Sequence, residues 1–120
     1  MDNALQQKQT SLLLSEIISN ISLLDPVKII LFGSYASETH NADSDIDILV
    51  ILDSDIIPSS YDEKMMLSSH VRKTIYSLSR RKAIDLVVYT SGEFEALRKM
   101  RTSFYNEIER TGRVLYEKAG

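Results

Sequence analysis

Phe32-Gly33-Ser34, followed after ten intervening residues by Asp45-Ile46-Asp47-Ile48-Leu49-Val50-Ile51-Leu52, decides how this chain is read. The second stretch is apolar, β-branched and too short for a helix of its own, so it predicts a strand. Strand side chains alternate faces, which puts Asp45 and Asp47 on one face with Leu49 and Ile51, opposite Ile46, Ile48 and Val50. At the rise of a strand the two aspartate α-carbons lie ~7 Å apart. Carboxylates that close on a low-dielectric sheet repel, and one tends to stay protonated unless a cation neutralises them. Oxygen ligands from one or two carboxylates, completed by phosphates and water, are what magnesium prefers. An isolated Asp-x-Asp is more often a solvated turn. Here the strand runs from polar to apolar on both faces, which sets the aspartates at the mouth of a covered sheet.

Upstream, Val27 to Phe32 is a second strand candidate, opened by Pro26, a residue tolerated at a strand's start. Gly33 lets the backbone approach a ligand or take positive φ. Ser34 reads as the N-cap of a short helix over Tyr35 to about Glu38, whose free amides favour an anion. A lone Gly-Ser is usually an ordinary turn; its meaning comes from the acids beside it. A third apolar run, Ala83 to Tyr89, carries one carboxylate, Asp85, near its start. Aspartate is depleted in strands, and a covered one needs a partner. Arg80, Arg81 or Lys82 could supply it, but a third metal ligand beside the other two accounts for it with fewer assumptions.

Gly33-Ser34, Asp45-x-Asp47 and the distal Asp85 together resemble the DNA polymerase β-like nucleotidyltransferase superfamily. The short chain is similar to its minimal nucleotidyltransferases, several of which are antitoxins paired with HEPN-domain toxins. The likeness runs from about Val27 to Tyr89, and Ile108 to Glu117 also looks like that family's ending. It implies a palm-like nucleotidyltransferase fold over residues 1–120, with Asp45 and Asp47 bridging two Mg2+ ions and Asp85 holding the ion that activates the attacking hydroxyl. Gly33 and Ser34 would bind the triphosphate of the donor, ATP. Two ions ~4 Å apart can stabilise both oxygens of an in-line displacement, and positioning with electrostatic clamping carries most phosphoryl chemistry. One departure stands out. Many relatives follow Gly-Ser-x-Ala with a basic residue and then glycine, where this chain has Ser37 and Glu38.

Bulk properties bound the reading. A chain of 120 residues with 43% hydrophobic and 26% charged residues fits one globular domain with a modest core. No apolar run approaches the ~20 residues of a membrane span, and Met1-Asp2-Asn3 lacks the layout of a secretion signal. The absence of cysteine excludes disulfides and thiolate zinc sites and suits a reducing cytoplasm. A net charge of −3 argues against extended nucleic-acid binding, which needs clustered positive charge.

The rest predicts helices. Leu13, Ile17, Ile21 and Leu24 keep helical spacing across Ala4 to Leu24. Asp53 to Ser60 is a loop, and Ser60-x-x-Glu63 resembles a capping box opening a helix to about Ser79, with its buried stripe on Leu67, Val71, Ile75 and Leu78. Thr90-x-x-Glu93 opens another, bearing Phe94, Leu97, Phe104 and Ile108 and ended by Gly112. Val114 to Tyr116 is a short strand or a docked tail. The fold class is thus α/β (α+β): a small mixed sheet flanked by helices. Arg80 to Lys82 suit a helix C-terminus, and His40, His70, Arg98, Lys99 and Arg101 suit solvated positions. Met65 and Met66 suit packing or an interface.

Once the motif-bearing sheet and its helices are counted, no residues remain for an acceptor-presenting domain. The expectation is a transfer of AMP to a hydroxyl on another chain, the resemblance pointing to a tyrosine of a HEPN-type toxin in a homo- or hetero-oligomer. The alternative is a binding module that keeps the fold and neutralises its partner by contact alone, for which Ser37 and Glu38 speak.

Overall fold

Apolar runs alternate with capped helical segments along the chain, and the computed structural model, which describes residues 3–41 and 43–119, follows that alternation. Helix α1 (Asn3–Ser22) leads into β1 (Lys28–Phe32), the short α2 (Gly33–Ser37) and β2 (Ile46–Leu52). Then come α3 (Tyr61–Thr74), α4 (Tyr76–Ser79), β3 (Ile84–Thr90), α5 (Ser91–Met100), α6 (Ser103–Thr111) and β4 (Arg113–Glu117). The sheet order is β3-β2-β1-β4, with β1 antiparallel to β2 and β4, and β2 parallel to β3. A parallel pair needs a crossover, and α3 with α4 provides it. The mixed sheet and its helices are as expected, and the tail is a true edge strand.

Alternation divides the sheet's side chains between two cores. Ile29, Leu31, Ile46, Ile48, Val50, Leu86 and Val88 pack with Leu13, Ile17 and Ile21 of α1 and with Val71, Ile75 and Leu78. On the other face Ile30, Leu49 and Ile51 meet Ile108, with Phe94 and Phe104 against them. At ~25 cal/mol per Å2 of apolar area, each buried isoleucine contributes about 2 kcal/mol before chain entropy is subtracted. Ile48, Leu49 and Val50 are all fully buried, so β2 is covered on both faces. That leaves its first residues as the only polar part of the strand.

Two helices expected to run straight are broken. The segment from Tyr61 stops at Thr74, and the chain restarts as α4 after Ile75, which has φ −118. The Thr74 carbonyl accepts a 2.8 Å hydrogen bond from Asn20 Nδ2 of α1, and the Thr74 hydroxyl donates to Val71 O at 2.7 Å. An acceptor that the next turn would have used is thereby spent, and Ile75 drops into the core. The Thr90 segment breaks at Arg101, which adopts φ 51, and Thr102 caps α6 by accepting from Tyr105 N at 3.2 Å. One helix over the whole stretch would be ~30 Å long, against ~23 Å for a seven-residue strand. The bend keeps Phe104 over the sheet, edge-on to Phe32 at 5.5 Å and to Tyr89 at 6.1 Å.

The caps divide similarly. Thr90 and Glu93 form the full reciprocal box. Ser60 accepts from Glu63 N, but the Glu63 carboxylate reaches back to Ser59 N at 2.8 Å instead of to Ser60. Among the described residues no helix is long and apolar enough to cross a membrane.

Candidate active site

Register brings the acids together. Asp47 pairs with Phe32 across the antiparallel ladder and with Asp85 across the parallel one. Neighbouring strands lie ~4.8 Å apart, so Asp47 and Asp85 project side by side from one end of the sheet. Their carboxyl groups lie within reach of a hydrogen bond to each other. Burial, then the charges of Asp85 and Asp45, then that hydrogen bond push the Asp47 carboxyl above the usual carboxylate value. Two carboxyl groups in contact need a shared proton or a cation between them.

Gly33 closes the site from the opposite strand. It takes φ 72, and a Cβ built there would stand 2.0 Å from Asp47 Oδ2 and 3.0 Å from its Cγ. Glycine is therefore required twice, for its left-handed backbone and for the space that the carboxylate occupies. The helix after it starts two residues earlier than expected: it begins at Gly33 with Phe32 at the N-cap, and Ser34 lies inside it. Phe32 is the last residue of its ladder, so the chain must turn at once. Ser37 Oγ donates back to Gly33 O at 3.2 Å. Glu38 ends the helix at φ 62, its N–H bonded to Ser34 O. A left-handed residue suits glycine, which is the residue that the resemblance expects there, and Glu38 adopts that conformation at a cost.

Asp45 lies exposed just before β2, close enough to raise the Asp47 pKa by its charge. Among the described residues, no group of three or more His, Cys, Asp or Glu side chains is gathered closely enough to hold a metal ion. The tight unit is thus the Asp47–Asp85 pair, with Asp45 at its rim. A pair of hard oxygen donors with excess negative charge fits a magnesium-type cation that takes its remaining ligands from phosphate and water.

Other residues resolve differently. Arg81 pairs with Glu16 of α1 at 2.9 Å, and Lys82 lies 5.7 Å from the Tyr35 ring centroid. His40 is exposed, as expected, while its ring stacks on Tyr35 at 4.0 Å with planes 13° apart. Tyr35 escaped sequence reasoning. An aromatic residue inside a Gly-Ser turn, five positions before a histidine, was the available signal.

The family model described as Polymerase beta, Nucleotidyltransferase matches residues 14–119. No curated protein matches the chain. Among solved structures, the chain is similar to one in a toxin–antitoxin crystal structure with AMP-PNP, at 24% identity and TM-score 0.54, over 87% of this chain and 73% of that one. It is also similar to a candidate nucleotidyltransferase from Sulfolobus solfataricus, at 23% identity and TM-score 0.52, over 88% and 78% of the two chains. At such identities these two establish a shared fold.

Proposed function

The chain belongs to the polymerase beta nucleotidyltransferase family, and from that premise we propose that it transfers AMP from ATP to a tyrosine hydroxyl on a partner protein in an antitoxin-like pairing. The observation that carries this reading is the Asp47–Asp85 pair with Gly33 against it. This site gathers negative charge and raises a carboxyl pKa, which is how a site awaiting a cation is built.

Asp45, Asp47 and Asp85 would hold the magnesium ions, and Gly33 with Ser34 would lie along the triphosphate. Magnesium would neutralise the carboxylates and phosphate oxygens and so stabilise charge on both the attacking and the leaving oxygen. The protein's own part is positional. The charges of Asp45 and Asp85 beside Asp47 would favour a cation there, the β2–β3 register holds Asp47 and Asp85 side by side, and Gly33 leaves room for the Asp47 carboxylate. That a similar chain was crystallised in a toxin–antitoxin structure with AMP-PNP supports both nucleotide and protein partner. The HEPN class of that partner rests on the resemblance alone.

The test is incubation of purified protein with magnesium, labelled ATP and the product of the adjacent gene. The neighbour should become labelled, and Asp47→Asn should abolish labelling while the thermal midpoint holds or rises. Absence of transfer with every nucleotide and acceptor refutes the proposal.

A second reading, inhibition of the partner by contact alone, is favoured by Glu38, an acid at the end of the turn that should meet a triphosphate. Calorimetry separates the two, since only the enzyme requires Mg-ATP. Unchanged neutralisation by Asp45→Ala, with the partner still bound, selects the contact model.

A further inference from the structure

Where α5 gives way to α6, Arg101 occupies a left-handed backbone position with φ 51. Glycine would sit there freely; a long side chain does so at a cost, and such outliers cluster at functional sites. The corner is braced. Arg101 N donates to Arg98 O at 3.1 Å, Thr102 N to Leu97 O at 3.3 Å, and Asn106 Nδ2 to Arg101 O at 3.3 Å. The Arg101 and Thr102 amides are thereby spent within the corner itself.

Five side chains line an open hollow of about 330 Å3 at this corner: Arg98, Lys99, Arg101, Tyr105 and Asn106. Arg98 is held by the Glu95 carboxylate through its Nε, at 2.9 and 3.0 Å to the two oxygens, which fixes the plane of its guanidinium. Among the described residues neither Lys99 nor Arg101 forms an ion pair. Tyr105 brings a half-buried phenol whose ring lies 5.2 Å from that of Phe94. Three cations against the single carboxylate of Glu95 leave this corner positive, in a chain whose net charge is −3.

We propose that the hollow at the α5–α6 corner binds the phosphate group of a small molecule. Planar guanidinium forks pair with phosphate oxygens through two parallel hydrogen bonds, and a lysine adds a mobile point charge. The chamber is too open and polar for an apolar ligand. None of its residues comes from β2, β3 or α2, so this site is separate from the acid pair and stands without the nucleotidyl-transfer reading.

The test is site-resolved. The 15N-labelled 120-residue chain, in EDTA at ionic strength matched with chloride, is titrated with inorganic phosphate, pyrophosphate and AMP. Saturable shifts are expected at Lys99, Arg101 and Asn106, and they persist in Asp47→Asn. Arg101→Gly relieves the left-handed strain, so its thermal midpoint is expected to hold or rise while affinity falls about tenfold, the effect of losing one charged hydrogen bond. Tighter binding of AMP or pyrophosphate than of phosphate assigns a nucleotide or diphosphate as the source, and equal binding assigns the free anion. Shifts confined to residues 33–38 and 47, or unchanged affinity in Arg101→Gly, overturn the proposal.

Discussion

Replacing Gly33 by alanine should cost stability in two separable parts. Alanine at φ 72 bears the left-handed penalty of about 1–2 kcal/mol, offset by about 0.5 kcal/mol from the stiffer unfolded chain. The new Cβ would also stand 2.0 Å from Asp47 Oδ2, and pushing that carboxylate off its contact with Asp85 adds about 1–2 kcal/mol of overpacking. The total is about 2–3 kcal/mol, or roughly 10 °C in thermal midpoint for a chain of this length. Asp47→Ala removes the clashing atoms and leaves the backbone penalty. Gly33→Ala should therefore cost only about 1 kcal/mol in the Asp47→Ala background, a coupling of about 1–2 kcal/mol in a double-mutant cycle. Urea denaturation of the four proteins, followed by circular dichroism, measures it. Additivity within about 0.4 kcal/mol would refute the claim that Gly33 exists to make room for Asp47.

Three more predictions follow from particular side chains. The raised Asp47 pKa means that its stabilising share is fully present below the ordinary value of 3.8 and is lost as pH rises through the folded value. In EDTA, Asp47→Asn should thus melt higher than the parent at neutral pH, with the gap closing toward pH ~4, and differential scanning fluorimetry across pH reads this directly. Glu38→Gly removes a left-handed acidic residue and should raise stability by about 1 kcal/mol in chemical denaturation; under the enzyme reading it also tightens Mg-ATP in calorimetry. Lys64 Nζ lies 3.0 Å from both Glu93 oxygens and 4.2 Å from the Tyr89 ring centroid. Lys64→Met should cost about 2 kcal/mol, because it takes away the cation that the half-buried Glu93 carboxyl is bonded to, and an unchanged urea midpoint would contradict it.

Most of the architecture is local and could be read directly. The β-branched runs at 28–32, 46–52 and 84–90 announce strands because nothing in them suits a helix, and Thr90 with Glu93 announces a cap because both partners lie three residues apart. Asp45, Asp47, Asp85, Gly33 and Ser34 stand out for the same reason: polar or glycine residues at the ends of apolar strands are conspicuous. The broken helices at Ile75 and Arg101 were not legible. Their causes are a hydrogen bond from Asn20, 54 residues away, and the need to turn Phe104 back over the sheet.

Chain order alone dictates which segments extend, which coil, and where the acidic residues fall along them, since those depend on neighbours within a few positions. It takes the assembled sheet to decide that β2 runs parallel to β3 and that Asp47 lies opposite Asp85. The same assembly places the Gly33 backbone in the space that Asp47 needs. Register is set by burying Leu49, Ile51 and Val87 between strands and helices, and slipping it by one residue would turn every acid to the other face. The raised pKa of Asp47 is therefore largely a product of packing, from its burial first and then from the charge of Asp85, 38 residues away in sequence.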